Sequence, residues 1–391
     1  MGDTMRLLPL GELIDRILEE YRQTGAIFDL SEESWYRKKD DRAMRVFGEA
    51  CETPLGPAAG PHTQLAQNIV SSYLAGSRFI ELKTVQILDA LEIEKPCIDA
   101  ADEGYNTEWS TELTLEEAWE EYAKGWVLLH LIEELFDFRT SDAERSFIFN
   151  MSVGYDLKGI TTEPMQRFIF RMKDSSSEEK FQSWIEEARA TANKLVDTGL
   201  ENKAEAVRNL EVPGEICTTM TLSTMHGCPP AEIESICEHM LVEQELDTFV
   251  KLNPTLLGYE FVRETLDGLG FDYVTLSHDS FDHDLQYPDA IAILTRLRKL
   301  SEKEGRRFGV KLSNTLPTVN DQDALPGEEM YLSGRTLYPL TINLAATLSR
   351  EFDGDLPISY SGGITIHNVR EVFRTGIRPL TLATDLLKPG G

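Results

Sequence analysis

The residues with chemical reach gather at the ends of short β-rich runs. TPLGPAAG (53–60) closes on Ala58, Ala59 and Gly60, RFIELKTV (78–85) on Lys83 and Thr84, and SFIFNMSV (146–153) on Asn150 and Ser152. CTTMTLST (217–224) ends at Thr224, with His226 and Cys228 just beyond, and TFVKLNPT (248–255) presents Lys251 and Asn253. FGVKLSNT (308–315) offers Lys311, Asn314 and Thr315, LPISYSGG (356–363) offers Gly362 and Gly363, and RPLTLATD (378–385) offers Ala383 and Thr384. Small residues let a flat ring lie against backbone, and amides and hydroxyls suit its hydrogen-bonding edge. A strand-end lysine supplies a cation where such a ring accumulates negative charge on reduction. Backbone N–H groups beside glycines suit a phosphate. Together these groups match the needs of a flavin mononucleotide.

Residues so distributed meet only if the strands deliver them to one rim. The runs alternate with helical patterns such as 115–136, 231–244, 259–270, 288–305 and 367–376. Strands alternating with helices indicate a parallel sheet, and the reading is a (β/α)8 barrel, in which functional groups sit at the C-terminal strand ends. No G-x-G-x-x-G follows any strand, which removes the phosphate loop of a nicotinamide-binding doubly wound fold. YVTLSHDS (273–280) makes a ninth run, one more than the barrel holds. Residues 1–45 read as an N-terminal extension with a helix near 11–23, and 46–391 as the barrel, interrupted at about 174–212 by a polar, helix-prone insertion. The segment 319–335 reads as a lid or substrate loop.

The net charge of -29 opposes nucleic acid and anionic membrane surfaces as partners. No run of about 18 apolar residues appears and the amphipathic N-terminus lacks a signal core, so the chain is expected in the cytoplasm. The five cysteines are scattered without a C-x-x-C pair, and no disulfide, zinc or iron–sulfur site is expected. The cluster His278, Asp279, Asp282, His283 and Asp284 is read as a solvated polar loop rather than a metal site. For Cys228 the plain alternative is packing ahead of Pro229 and Pro230 at a helix start, and for His226 a hydrogen bond that caps its loop.

The succession TPLGPAAGP, FIELKTV, GYNTEWS, TLSTMHGCPP, FVKLNPT, SYSGGI and IRPLTLATDLL resembles the FMN domain of dihydropyrimidine dehydrogenase and the dihydroorotate dehydrogenases over roughly 50–391. Over nearly the whole chain it is similar to the N-terminal region of the bacterial YgfK family, described as a selenate reductase subunit. The resemblance implies Ala58 to Gly60 against FMN, Lys83 and Thr84 near its ring, and Lys251 beside N1 and O2. It puts Asn106 and Glu108 at the substrate edge, with Asn253 nearby. Asn314 and Thr315 match the family's strand-six Asn-Thr pair by type, whereas Ser277, His278 and Asp279 match it by spacing; Asn314 and Thr315 are preferred. The family's Ser-Cys-Pro-His-Gly loop is here Ser223, Thr224, Met225, His226 and Gly227, followed by Cys228. Thr224 takes the acid position, and Cys228 is displaced by four residues.

What the resemblance implies is hydride transfer from FMN to a C=C or C=N bond of a purine- or pyrimidine-like ring, urate among them. Electrons are then expected from FAD, NADPH and [4Fe–4S] modules outside this chain, which reads as a fragment of a longer flavoprotein with no helix after its last strand. The alternatives are a selenate reductase flavoprotein subunit, a non-catalytic flavin relay or scaffold, and an aldolase using Lys83, Lys251 or Lys311 as a Schiff base.

Overall fold

The computed structural model describes residues 5–388 apart from 41, 43, 89, 108 and 139–145. Its main sheet holds eight strands: β1 (Leu55–Pro57), β2 (Phe79–Glu81), β3 (Ile148–Gly154), β4 (Thr219–Ser223), β5 (Asp247–Leu252), β6 (Phe308–Leu312), β7 (Ile358–Tyr360) and β8 (Leu380–Leu382). Strands β2 to β8 pair in chain order, all parallel, and β8 returns to β1 with Leu380 opposite Leu55 and Leu382 opposite Pro57. The last seam is bridged where the Arg78 N–H donates to the Leu55 carbonyl at 2.8 Å. The result is a nearly closed (β/α)8 barrel. Strands covered by helices outside and by side chains inside are apolar on both faces, which is why β3 is buried along its whole length.

Eight of the nine β-rich runs contribute a strand, and YVTLSHDS is the surplus one. It joins the barrel nowhere: Leu276 makes an isolated antiparallel bridge to Thr318, and Ser277 then caps a short helix, His278–His283. The reason is burial elsewhere. Val274 and Leu276 sink into a satellite core with Leu316, Leu332 and Leu337, so the run has already hidden its apolar face before the chain reaches the barrel. The sixth barrel strand is therefore 308–312, with Asn314 and Thr315 just past its end.

The expected loop 319–335 is structured in its second half. Glu329–Ser333 pairs antiparallel with Leu316–Val319 on one side and with Gly104–Asn106 on the other, and Ile98–Asp99 completes a four-stranded sheet over the barrel's mouth. One helical turn, Thr384–Leu387, follows β8.

Helix 115–136 starts on a reciprocal cap, with the Glu117 N–H donating to Thr114 Oγ1 and the Thr114 N–H to Glu117 Oε2. Trp119, Tyr122 and Trp126 are fully buried, as expected of a helix against the barrel, but so are residues on its other faces, including Val127 and Leu131. The reason is a further layer outside it. Helix Glu179–Ala190, within the segment 174–212, sets Trp184 against Trp119 at 5.5 Å, and the N-terminal helix Leu10–Thr24 packs on that helix in turn. Among the described residues no helix is long and apolar enough to cross a membrane.

Trp119 ties these layers together, its indole N–H donating to Ser175 Oγ at 3.0 Å and its ring lying under the Arg171 guanidinium at 3.3 Å. Trp119→Ala should cost about 3–5 kcal/mol, read as a lower urea midpoint; a midpoint within error of wild type would contradict this packing.

Candidate functional site

A cavity of about 380 Å³ opens at the C-terminal rim of the barrel, beneath the four-stranded sheet. Alternation along each strand decides who reaches it, since every second residue points inward. From the barrel come Ala58, Glu81, Lys83, Ser152, Thr221, Ser223, Lys251, Lys311, Ser313, Ser361 and Thr381, and from the sheet above come Gly104, Asn106 and Ser333.

Most of the residues singled out from sequence meet here. Ala58, Ala59, Gly60, Lys83, Thr84, Asn106, Thr224, Lys251, Asn314, Thr315, Gly362, Gly363, Ala383 and Thr384 all line the cavity. Four do not. Asn150 lies inside β3, which runs on to Gly154 and so leaves it deep in the barrel, where its Nδ2 donates to Thr221 Oγ1 at 2.8 Å and its Oδ1 accepts from Thr219 at 2.9 Å. His226, Cys228 and Asn253 stand outside the lining. Glu108 falls outside the described residues.

The cations are held in place. Lys83 donates to the Trp109 carbonyl at 2.8 Å with its Nζ 4.5 Å from that indole's centre, and its own carbonyl accepts from the Tyr122 hydroxyl at 2.8 Å. Thr84 Oγ1 and Ser152 Oγ are 2.7 Å apart, and Lys251 Nζ stands 3.4 Å from Ser223 Oγ. Lys311 reaches across the floor to Glu81 Oε2 and Thr381 Oγ1, both at 2.6 Å.

At the opposite end, the sheet is stitched to the loops after β7 and β8. Ser333 Oγ and Thr384 Oγ1 are 3.0 Å apart; a Cβ on Gly104 would stand 2.7 Å from that serine oxygen, so a side chain there would push this pair aside. Gly363 has φ +63°, and a Cβ there would approach the Gly334 carbonyl oxygen to 2.5 Å. Only glycine fits both the space and the left-handed backbone. Nearby, buried Glu103 accepts from Arg335 Nη2 at 2.7 Å, Thr336 Oγ1 at 2.8 Å and the Tyr273 hydroxyl at 3.1 Å, anchoring the sheet's edge.

Loop 224–228 has its own anchor, which sequence reasoning placed in solvent. Asp284 is 4% exposed and accepts from the Gly227 N–H (2.7 Å), Thr255 Oγ1 (2.8 Å) and Asn253 Nδ2 (3.0 Å), with His226 Nδ1 also 3.0 Å away. Burial alone pushes its carboxyl up, but the hydrogen bond and charge of His226, then Thr255 and the Gly227 N–H, outweigh it and hold it below the usual carboxylate range. His226 is thereby a strut, stacked on Tyr331 at 5.3 Å, and among the described residues no three His, Cys, Asp or Glu side chains cluster as metal ligands would. Cys228 keeps its proton firmly: burial first, then Glu232 and Asp156, push its thiol up to about 11.

The chain is a TIM barrel whose mouth gathers small, amide and cationic groups on one cavity. The profile of the family described as Oxidoreductase YgfK, N-terminal TIM-barrel domain, matches residues 28–391, and the chain belongs to that family. It is 58% identical over 400 residues to the oxidoreductase YgfK of Escherichia coli strain K12 and equally to that of strain O157:H7, covering all of this chain and 38% of each relative. The chain thus spans well under half the length of these relatives. In fold it is similar to the dihydroorotate dehydrogenase of Eimeria tenella in complex with ferulenol, with a TM-score of 0.51, 14% identity, and coverage of 96% of this chain and 86% of that one.

Asp284→Asn leaves one donor facing donors and should cost about 1–3 kcal/mol near neutral pH. Because the folded-state pKa is depressed, the wild-type advantage is fully present above the unfolded value near 4 and is lost as pH falls through the folded one. Calorimetric melts of both proteins across this range should converge in acid; a constant offset would rule the anchor out.

Proposed function

We propose that the cavity holds FMN and that the domain reduces a C=C or C=N bond of a purine- or pyrimidine-like heterocycle, urate being one such ring. The observation that carries the reading is the convergence on one rim of Ala58–Gly60, Lys83, Lys251, Asn106, Asn314 and the paired glycines 362–363. The donor set fits the group: small residues at β1 for the ring, lysines for its electron-rich edge, and backbone at the glycines of β7 and the Ala383–Thr384 turn for its phosphate. When bound there, FMN supplies a hydride.

The protein's own groups do the rest. Lys251 offers a cation toward the pyrimidine edge, and Lys83, braced by Trp109 and Tyr122, a second. Asn106, from the overlying sheet, and Asn314 with Thr315, beyond β6, present amide and hydroxyl groups from above and beside the cavity, suited to the alternating donors and acceptors of a heterocyclic edge. Thr224 lines the cavity on a loop fixed by Asp284 and is the proton donor in this reading, while Cys228 stands outside the lining and packs against the main core. The electrons come from FAD, NADPH and [4Fe–4S] centres elsewhere in the full-length protein, a reading supported by the share of each relative that lies beyond this chain.

The chain mixed with FMN and desalted should keep a flavin absorption spectrum, and reduced flavin in it should be reoxidised by a purine or pyrimidine ring; a colourless protein defeats the proposal. Thr224→Val should slow that reoxidation about 100-fold while leaving FMN affinity within error, and an unchanged rate would remove Thr224 as the donor. Lys251→Met should weaken FMN binding and retard its reduction, measured by equilibrium dialysis and stopped-flow bleaching.

A further inference from the structure

One feature of the barrel interior is not used by that chemistry. Glu81, Thr221, Lys311 and Thr381 come from β2, β4, β6 and β8, the alternate strands that build one interior layer. Such a layer is ordinarily filled by branched apolar side chains. Here it is a hydrogen-bonded charge pair, with Lys311 1% and Glu81 2% exposed and both forming the floor of the cavity. Thr221 donates to Glu81 Oε1 at 3.4 Å and Thr381 Oγ1 lies 3.3 Å from Oε2.

A buried ion pair is poor stabilising material, since the desolvation of both charges offsets their attraction and apolar replacements of similar volume often do as well. Its position matters more. Lys311 stands opposite Lys251 in the register of β5 and β6, so two lysines sit side by side under the same ligand space, with the Glu81 carboxylate of β2 paired to Lys311. The charged groups facing Lys311 are Glu81 and Lys251, with Lys83 two residues past Glu81, beyond the end of β2.

We infer that Lys311 and Glu81 form a proton-holding pair whose charge follows the electron load of the ring above them, Lys311 gaining a proton when that ring is reduced. The inference rests on the flavin reading. Burial, with Lys251 adding to it, pulls Lys311 down to about 8 against the opposing pull of Glu81. Its ammonium is therefore lost at lower pH than that of a free lysine while the cavity carries no negative charge. Negative charge arriving in the cavity acts in the opposite sense and favours the ammonium. The balance is simple: two electrons and one proton leave the ring with one negative charge, and a second proton from solvent binds Lys311 Nζ. When the ring gives up a hydride, Lys311 returns its proton to solvent.

The test is the midpoint potential of the FMN-loaded chain from roughly pH 6 to 10. In wild type the protons taken up per two electrons should rise from about one toward about two above the Lys311 pKa, whereas the double variant Glu81→Gln/Lys311→Met, which removes the pair and keeps Lys251, should stay near one. Identical pH dependence in the two proteins overturns the inference and leaves the flavin reading standing; failure of wild type to take up FMN would strike the flavin reading itself. Thr381→Val keeps both charges but removes an acceptor of the ammonium, and should move the steepening to lower pH. An unmoved onset also overturns the inference.

Discussion

Parallel register in a closed sheet is the constraint on which this molecule depends. Strands running the same way bring their carboxyl ends to one rim, and a two-residue alternation then decides which side chains look inward. Lys251 faces the cavity because it is in step with Lys311 across β5 and β6, and Ser223 closes on Gly154 across β4 and β3 in the same way. A slip of one residue would turn each inward group outward. Small residues are demanded where backbones crowd: a Cβ on Gly56 would lie 1.5 Å from the Phe79 carbonyl oxygen, at the seam where the barrel closes.

The interior near that rim is polar, and polarity in a close-packed core is tolerated only when its hydrogen bonds are made. Asn150 is satisfied by two threonines of β4, and Lys311 by Glu81 and Thr381. These bonds stiffen the floor. Above it, the rim is braced by two buried carboxylates at different places: Glu103 ties the overlying sheet through Arg335, Thr336 and Tyr273, and Asp284 ties loop 224–228 to the residues after β5. Neither carboxylate lines the cavity, yet each holds a wall of it. A site of this kind is preorganised, its polar groups already oriented before a ligand arrives.

The outer layers serve the same rigidity by burial. Helix 115–136 carries apolar residues around most of its circumference, and that composition is satisfied only when a second shell covers it. The N-terminal helix and helix Glu179–Ala190 supply the cover, and the buried pair Glu121 with Lys124 is closed off beneath them, the lysine also donating to the Leu8 carbonyl.

By itself the sequence determined the architecture and most of the rim. Strand runs ending in Ala-Ala-Gly, Lys-Thr, Val-Lys-Leu and Gly-Gly carry their own periodicity and turn chemistry, and these are local properties that survive without knowledge of neighbours. What only the tertiary structure decided is where local pattern is degenerate. YVTLSHDS has the same strand character as FGVKLSNT, and only the satellite core around Leu316 and Leu332 draws it away from the barrel. Asn150 looked like a strand end because β3 continues beyond the usual length, and Asp284 looked solvated because the partners that bury it, His226, Gly227, Asn253 and Thr255, lie between 29 and 58 positions upstream. The union of Glu81 with Lys311 spans 230 positions. Burial and charge pairing depend on which distant segments become neighbours, and proximity of that kind is set by the closing of the barrel.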